Sequence, residues 1–83
     1  MNAVYRNHFI KDLERAKYTP LLAEIKRLIA LVLENPFQTP PPYEKLPGRE
    51  RTYSRRINRQ HRLVYSVEAN DTILFVSCWS RYK

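Results

Sequence analysis

Four of the chain's six prolines fall between Pro36 and Pro42, and this run divides 83 residues into two halves of different period. Proline lacks the amide hydrogen that helices and inner strands both use, so no regular element passes through the run. Ahead of it, apolar residues recur at helical spacing. Beyond it, they alternate. A chain of 83 residues has no length for two hydrophobic cores. The two halves therefore pack against each other, which predicts an α+β fold with residues 1–83 as a single domain.

The first half reads as a short strand and two helices. Ala3-Val4-Tyr5 is a strand candidate. Asn7 to Lys17 places Phe9, Leu13 and Ala16 on one helical stripe. That helix stops near Tyr18, because Thr19 precedes a proline and avoids the α region. Thr19 and Pro20 then open a second helix, threonine as a good N-cap and proline at the first helical position. Leu21, Ile25, Leu28, Ile29 and Val32 repeat at helical spacing as far as Asn35-Pro36, where asparagine, tolerant of left-handed backbone, and proline end the helix. Leu22, Ala30, Leu31 and Leu33 widen its apolar surface, so both flanks are expected to be covered.

The second half reads as strands. Tyr53, Arg55 and Ile57 alternate with Ser54, Arg56 and Asn58, and Asn58 to His61 is turn-like. Arg62 to Val67 sets Leu63, Tyr65 and Val67 on one face and Arg62, Val64 and Ser66 on the other. Glu68 to Asp71 is a turn, and Thr72 to Trp79 is a nearly continuous apolar strand expected to be central. The predicted order is β-α-α-β-β-β. An antiparallel sheet carries two helices on one face and arginines on the other.

Charge and composition narrow the function. The net charge is +7, and Glu44 to Arg62 holds seven basic and two acidic residues. That concentration favours a polyanion, RNA or DNA, or an acidic protein partner. Cys78 is the only cysteine, which excludes a disulfide framework and predicts a small buried apolar group. His8 and His61 stand in separate segments without metal-ligand spacing, so no metal is expected. Gly48 is the only glycine, which removes phosphate-cradling glycine loops. No apolar run reaches the roughly 20 residues of a membrane span, and the N-terminus lacks a signal-peptide core. A cytoplasmic location and no membrane partner are the expectation.

Glu44, Arg62, Arg81 and Tyr82 are the residues with chemistry to offer. Cleavage of RNA by its own 2′-hydroxyl needs a base for the 2′ proton, cations for the charge on the phosphorane, and help for the departing 5′-oxygen. A carboxylate among arginines can be the base. Arginine binds phosphate bidentately and stays charged, and a tyrosine ring can stack on a base. On residue types alone, Glu44 reads more simply as a surface partner of Lys45 or Arg49, and Tyr82 as a terminal aromatic.

Asn35-Pro36-Phe37-Gln38, Pro41-Pro42-Tyr43-Glu44-Lys45-Leu46, Tyr53-Ser54-Arg55-Arg56-Ile57-Asn58, Gln60-His61-Arg62-Leu63-Val64-Tyr65 and Trp79-Ser80-Arg81-Tyr82 together resemble the Txe/YoeB family, small toxins of the RelE/ParE superfamily from type II toxin–antitoxin pairs. The likeness covers nearly the whole chain, and only residues 1–20 match in pattern alone. It implies a RelE-like fold and a ribosome-dependent endoribonuclease that cuts mRNA in the A site without a metal or other cofactor. It assigns Glu44 as general base and Arg62 as phosphate stabiliser, and sets Arg81 and Tyr82 where the family has His-Tyr. Arg55, Arg56, Arg59 and Lys45 are then expected to bind RNA. Implied partners are a Phd/YefM-type antitoxin, the 70S ribosome with its mRNA and, as a further assembly, a homodimer, with operator DNA reached only through the antitoxin.

Three positions depart from the family's pattern. Arg81 replaces the histidine assigned as general acid, and a guanidinium with a pKa above 12 is a poor proton donor. The turn from Pro47 to Thr52 is one residue shorter and lacks a second glycine, which bears on how Glu44 stands to Arg62. Lys83 adds a cation beside Tyr82. Two alternatives stay open at this point: a binding module for RNA or antitoxin that does not cut, and a ParE-like gyrase inhibitor.

Overall fold

The computed structural model describes residues 1–79. Its elements are β1 (Asn2–Tyr5), α1 (Asn7–Ala16), α2 (Leu21–Glu34), β2 (Tyr43–Lys45), β3 (Thr52–Arg56), β4 (Arg62–Glu68) and β5 (Thr72–Ser77). The strands form one sheet in the order β1-β5-β4-β3-β2, and the helices cover one of its faces. The α+β class with two helices on one face is as the sequence predicts.

The sheet differs from expectation in two respects. It has a fifth strand, β2, which pairs antiparallel with β3 through Tyr43↔Arg55, Glu44↔Ser54 and Lys45↔Tyr53. Three residues directly after a proline run are too few to show alternation, so no local pattern announces it. The sheet is also mixed, because β1 runs parallel to β5 from Asn2↔Thr72 to Tyr5↔Phe75. The β5 strand is an inner strand flanked by β1 and β4, and the middle position belongs to β4.

The core lies between the helices and the sheet. Phe9, Ala16, Ile25, Leu28 and Val32 from the helices meet Leu63, Tyr65, Ile73 and Phe75 from the strands, all fully buried. Tyr5, Phe9 and Phe75 stack with ring centroids 5.3–5.7 Å apart. Each such pair contributes about 0.5–1.5 kcal/mol beyond the area it buries. Cys78 is wholly buried as predicted, and its backbone N–H donates to Asp12 Oδ2 at 3.0 Å. This bond ties the end of β5 to α1.

Helix and turn signals act mostly as read. Thr19 Oγ1 accepts from Leu21 N–H at 3.2 Å and donates to the Ala16 carbonyl at 2.9 Å, so one side chain closes α1 and opens α2. Asn35 ends α2 in extended backbone at φ −157°, not in the left-handed region. Its Oδ1 accepts from Phe37 N–H at 3.0 Å, a turn built by the side chain. In the β3–β4 turn, Asn58 Oδ1 accepts from Gln60 and His61 N–H groups at 2.9 and 2.7 Å. Ile57 N–H donates to the His61 carbonyl at 2.9 Å, which sets Arg62 as the first residue of β4, opposite Arg56. The β2–β3 turn takes positive φ at Gly48 (76°) and at Arg51 (53°). Arg51 thus adopts the conformation that a second glycine would favour. Leu46 N–H still bonds the Thr52 carbonyl at 2.9 Å, so the shorter turn closes normally.

Candidate active site

Strand parity decides which side chains reach the uncovered face. On β3, Tyr53 and Arg55 point toward the helices, since Tyr53 meets Tyr65 and Arg55 bonds its hydroxyl. Ser54 and Arg56 therefore point the other way. On β4 the same alternation sends Arg62, Val64 and Ser66 to the open face. Glu44 pairs with Ser54 across β2–β3 and shares that face.

Glu44, Ser54, Arg56 and Arg62 converge there, and with Pro41, Pro42 and Ile57 they line a cleft of about 480 Å³. Glu44 Oε1 stands 3.9 Å from Arg62 Nη1, with side chains 71% and 25% exposed respectively. An ion pair this long and this wet adds little to stability. Arg56 and Arg62 occupy directly opposed positions on β3 and β4, and like charges so placed are destabilising. The charges of the cleft are thus not arranged to hold the fold together. They suit an anion that enters between two guanidinium groups, beside an accessible carboxylate.

Arg55 requires a correction. It is fully buried on the helix side of β3 and cannot touch RNA. Its Nε donates to Tyr65 Oη at 3.1 Å, Nη1 to the Pro41 carbonyl at 2.5 Å and Nη2 to the Pro36 carbonyl at 2.9 Å. Tyr65 Oη also donates to the Pro36 carbonyl at 2.8 Å. The guanidinium lies over the Tyr43 ring at 5.2 Å, and Phe37, Tyr43 and Tyr53 pack on one another with centroids 5.2–5.7 Å apart. Burial pushes the Tyr65 hydroxyl above its ordinary pKa, with the Arg55 hydrogen bond and charge opposing the rise. The proline connector is therefore held at Pro36 and at Pro41, three residues before Glu44. Arg55 thus anchors the connector that precedes Glu44 and does not line the cleft.

The remaining candidates fall in different places. Lys45 is exposed on β2 but turns to the face opposite Glu44 and does not line the cleft. Arg59 is exposed in the β3–β4 turn and is likewise outside the cleft lining. Arg81 and Tyr82 lie outside the described residues. Among the described residues, no three His, Cys, Asp or Glu side chains gather as a metal site, and no helix is long and apolar enough to cross a membrane. His61 and Trp79 stack at 4.5 Å, which makes Trp79 a packing residue at the sheet end.

Sequence reasoning missed Ser54, Pro41, Pro42 and Ile57 in the cleft. The signal for Ser54 was present, since it shares strand parity with Arg56. The prolines carried none, because their place depends on the buried Arg55.

The two-helix layer, the mixed sheet and the arginine-flanked cleft define a small toxin of the YoeB/RelE-like fold. The chain belongs to the family of YoeB-like toxins of bacterial type II toxin–antitoxin systems, whose family model matches residues 5–82. Among solved structures it is similar to a YoeB/ParE toxin from Agrobacterium tumefaciens, at 28% identity and TM-score 0.89 over 99% of this chain and 100% of that one. It is also similar to chains of a YoeB–YefM complex (28% identity, TM-score 0.82) and of a YoeB dimer (29% identity, TM-score 0.84) from Staphylococcus aureus. Each likeness covers 99% of this chain and 98% of the other. No curated protein sequence matches the chain significantly.

Proposed function

We propose that this toxin is a ribosome-dependent endoribonuclease that cuts mRNA in the A site by attack of the RNA's own 2′-hydroxyl. The observation that carries the reading is the cleft in which Glu44 lies 3.9 Å from Arg62, with Arg56 directly opposite Arg62. Glu44 takes the 2′ proton as the 2′-oxygen bonds to phosphorus. Arg62 and Arg56 neutralise the phosphorane. The P–O5′ bond then breaks, leaving a 2′,3′-cyclic phosphate and a 5′-oxygen that ends as a hydroxyl. Arg81 stabilises that leaving oxygen by charge while its proton comes from water, and Tyr82 stacks on a base. Both roles rest on the family pattern of the last residues.

The chain works in the cytoplasm, where ribosomes are, and is neutralised by an antitoxin of YefM type. Solved relatives in complex with YefM and as a YoeB dimer support the antitoxin and a homodimer as assemblies. Contact with operator DNA is made through the antitoxin.

Primer extension on mRNA programmed into bacterial 70S ribosomes tests this reading. The native chain is expected to cut in the A site, and Glu44→Gln and Arg62→Ala to lose at least 100-fold in rate, the usual scale of a base or of a charge stabiliser. Unchanged cutting by both variants would refute it. Arg81→His tests the second reading, that the arginine leaves a binder without cleavage: cutting only after Arg81→His would establish it.

A further inference from the structure

Ser54 is 1% exposed, and its hydroxyl has no hydrogen-bond partner among the described residues. Buried hydroxyls nearly always have one, and an exception in a folded chain calls for an explanation. The position of this one supplies it. Ser54 lies on the floor of the cleft, paired with Glu44 on one side and Val64 on the other, with Arg56 two residues along the same face. Val64 offers no polar atom. The side chains of Glu44, Arg56 and Arg62 line the same space, yet none of them bonds the serine. The unused hydroxyl therefore belongs to the wall of the space shared by the carboxylate and the two guanidinium groups, and it is closed to water in the free chain.

We propose that Ser54 is a catalytic hydrogen-bond donor to the scissile phosphodiester, its Oγ–H directed at one non-bridging phosphate oxygen. This rests on the endonuclease reading and adds a residue to it. A hydroxyl on a β-strand inside a wall of ladder hydrogen bonds does not reorganise during the reaction. Its bond to the phosphate strengthens as negative charge accumulates on the phosphorane oxygens. Arg56 and Arg62 supply charge, whereas Ser54 supplies direction. It distinguishes the two non-bridging oxygens, which a pair of arginines alone does not.

The proposal carries an unusual signature. A donor left unpartnered in the free chain does nothing for the fold, so its removal harms activity without harming stability. Ser54→Ala is expected to lower the single-turnover cleavage rate on 70S ribosomes about 10- to 100-fold, with a Tm equal to or above that of the native chain. Ser54→Thr keeps the hydroxyl and is expected to restore at least a third of the native rate. With mRNA bearing a single phosphorothioate at the cut site, the native chain should cleave one diastereomer at least fivefold more slowly than the other, and Ser54→Ala should lose that difference. Equal rates for Ser54→Ala and native, a loss of rate matched by a fall in Tm, or a stereochemical preference that survives Ser54→Ala would each overturn the proposal.

If the native chain cuts nothing on ribosomes, the endonuclease reading fails, and binding decides the serine separately. A 2′-deoxy trinucleotide, which offers phosphodiesters without a nucleophile, is titrated into the free protein. Ser54→Ala should then bind it at least fivefold more weakly than the native chain. Equal affinity, or no binding by the native chain, would overturn the proposal.

Discussion

The Nε–H of Arg55 donates to the hydroxyl of Tyr65 at 3.1 Å, and both side chains also bond the carbonyl of Pro36. The two residues are cross-strand diagonal neighbours on the helix side of β3 and β4, and together they grip a connector that has no regular hydrogen bonding of its own. A third bond, from Arg55 to the Pro41 carbonyl, extends the grip toward Glu44. A buried guanidinium is tolerated only when its donors are used. Here Nε, Nη1 and Nη2 each meet a fixed oxygen, and the Tyr43 ring covers the plane. The connector that leads to Glu44 on the open face is thus anchored by a cation on the opposite face.

Arg55→Ala is expected to lower unfolding free energy by about 3 kcal/mol or more, because it leaves two carbonyls and the Tyr65 hydroxyl short of donors. Arg55→Lys should rescue little, since an ammonium cannot reproduce the fork. Tyr65→Phe should cost less, about 1–3 kcal/mol, since it leaves the buried Arg55 Nε–H without its acceptor while Arg55 still serves the Pro36 carbonyl. Urea unfolding of the three variants checks the order.

Arg56 should behave in the opposite way. Its like-charged neighbour Arg62 gives the free chain nothing in return for holding it there, so Arg56→Gln is expected to raise stability by about 0.2–1 kcal/mol. The same change should slow cleavage. It should also reduce the slope of log affinity for single-stranded RNA against log salt by about 0.7, the loss of one phosphate contact. Denaturation and a salt series of binding measurements test both halves.

Cys78 predicts a particular alkaline lability. Burial, with a smaller contribution from the Asp12 charge, pushes its thiol up to about 12 from an ordinary 9.0. Above pH 9 the unfolded chain releases this proton while the folded chain keeps it, so stability falls with rising pH across the window from 9 to 12. The loss approaches about 1.4 kcal/mol per pH unit. It should be missing from Cys78→Ala, which makes the difference between the two urea curves at pH 8 and pH 10 the measurement. Tyr65 titrates in both proteins and cancels. The native thiol should also resist alkylation at pH 8.

Gly48 isolates a backbone effect. It sits at φ +76°, and a Cβ built there meets nothing within 4 Å. Gly48→Ala should therefore cost about 1–2 kcal/mol from conformation alone, with no steric share. A lower urea midpoint with an unchanged m-value is the expected result, a loss of stability without a change in the surface exposed on unfolding.

Much of the site was legible before any coordinates. Tyr53 to Tyr65 reads as an alternating hairpin, and its parity sets Arg56 and Arg62 on one face and Tyr65 on the other. Arg55 shows the limit of the same reading. Its parity was visible, but its charge argued for solvent, because nothing local reveals that Pro36 and Pro41 would present carbonyls to it from 19 and 14 residues away. The strand β2 was hidden for the same reason. Tyr43–Lys45 becomes a strand by finding β3, not by any preference of three residues.

The sequence by itself determined the two helices and their ends, the β3–β4 and β4–β5 turns, and the basic open face. These follow from periodicity, capping and turn chemistry, which act over a few residues. Only the tertiary structure decided that β1 pairs with β5 in parallel, that Arg55 is a buried clamp, and that Ser54 lines a cleft without a partner. Register and burial depend on contacts between segments far apart in the chain, and those contacts are chosen by the packing of the whole core.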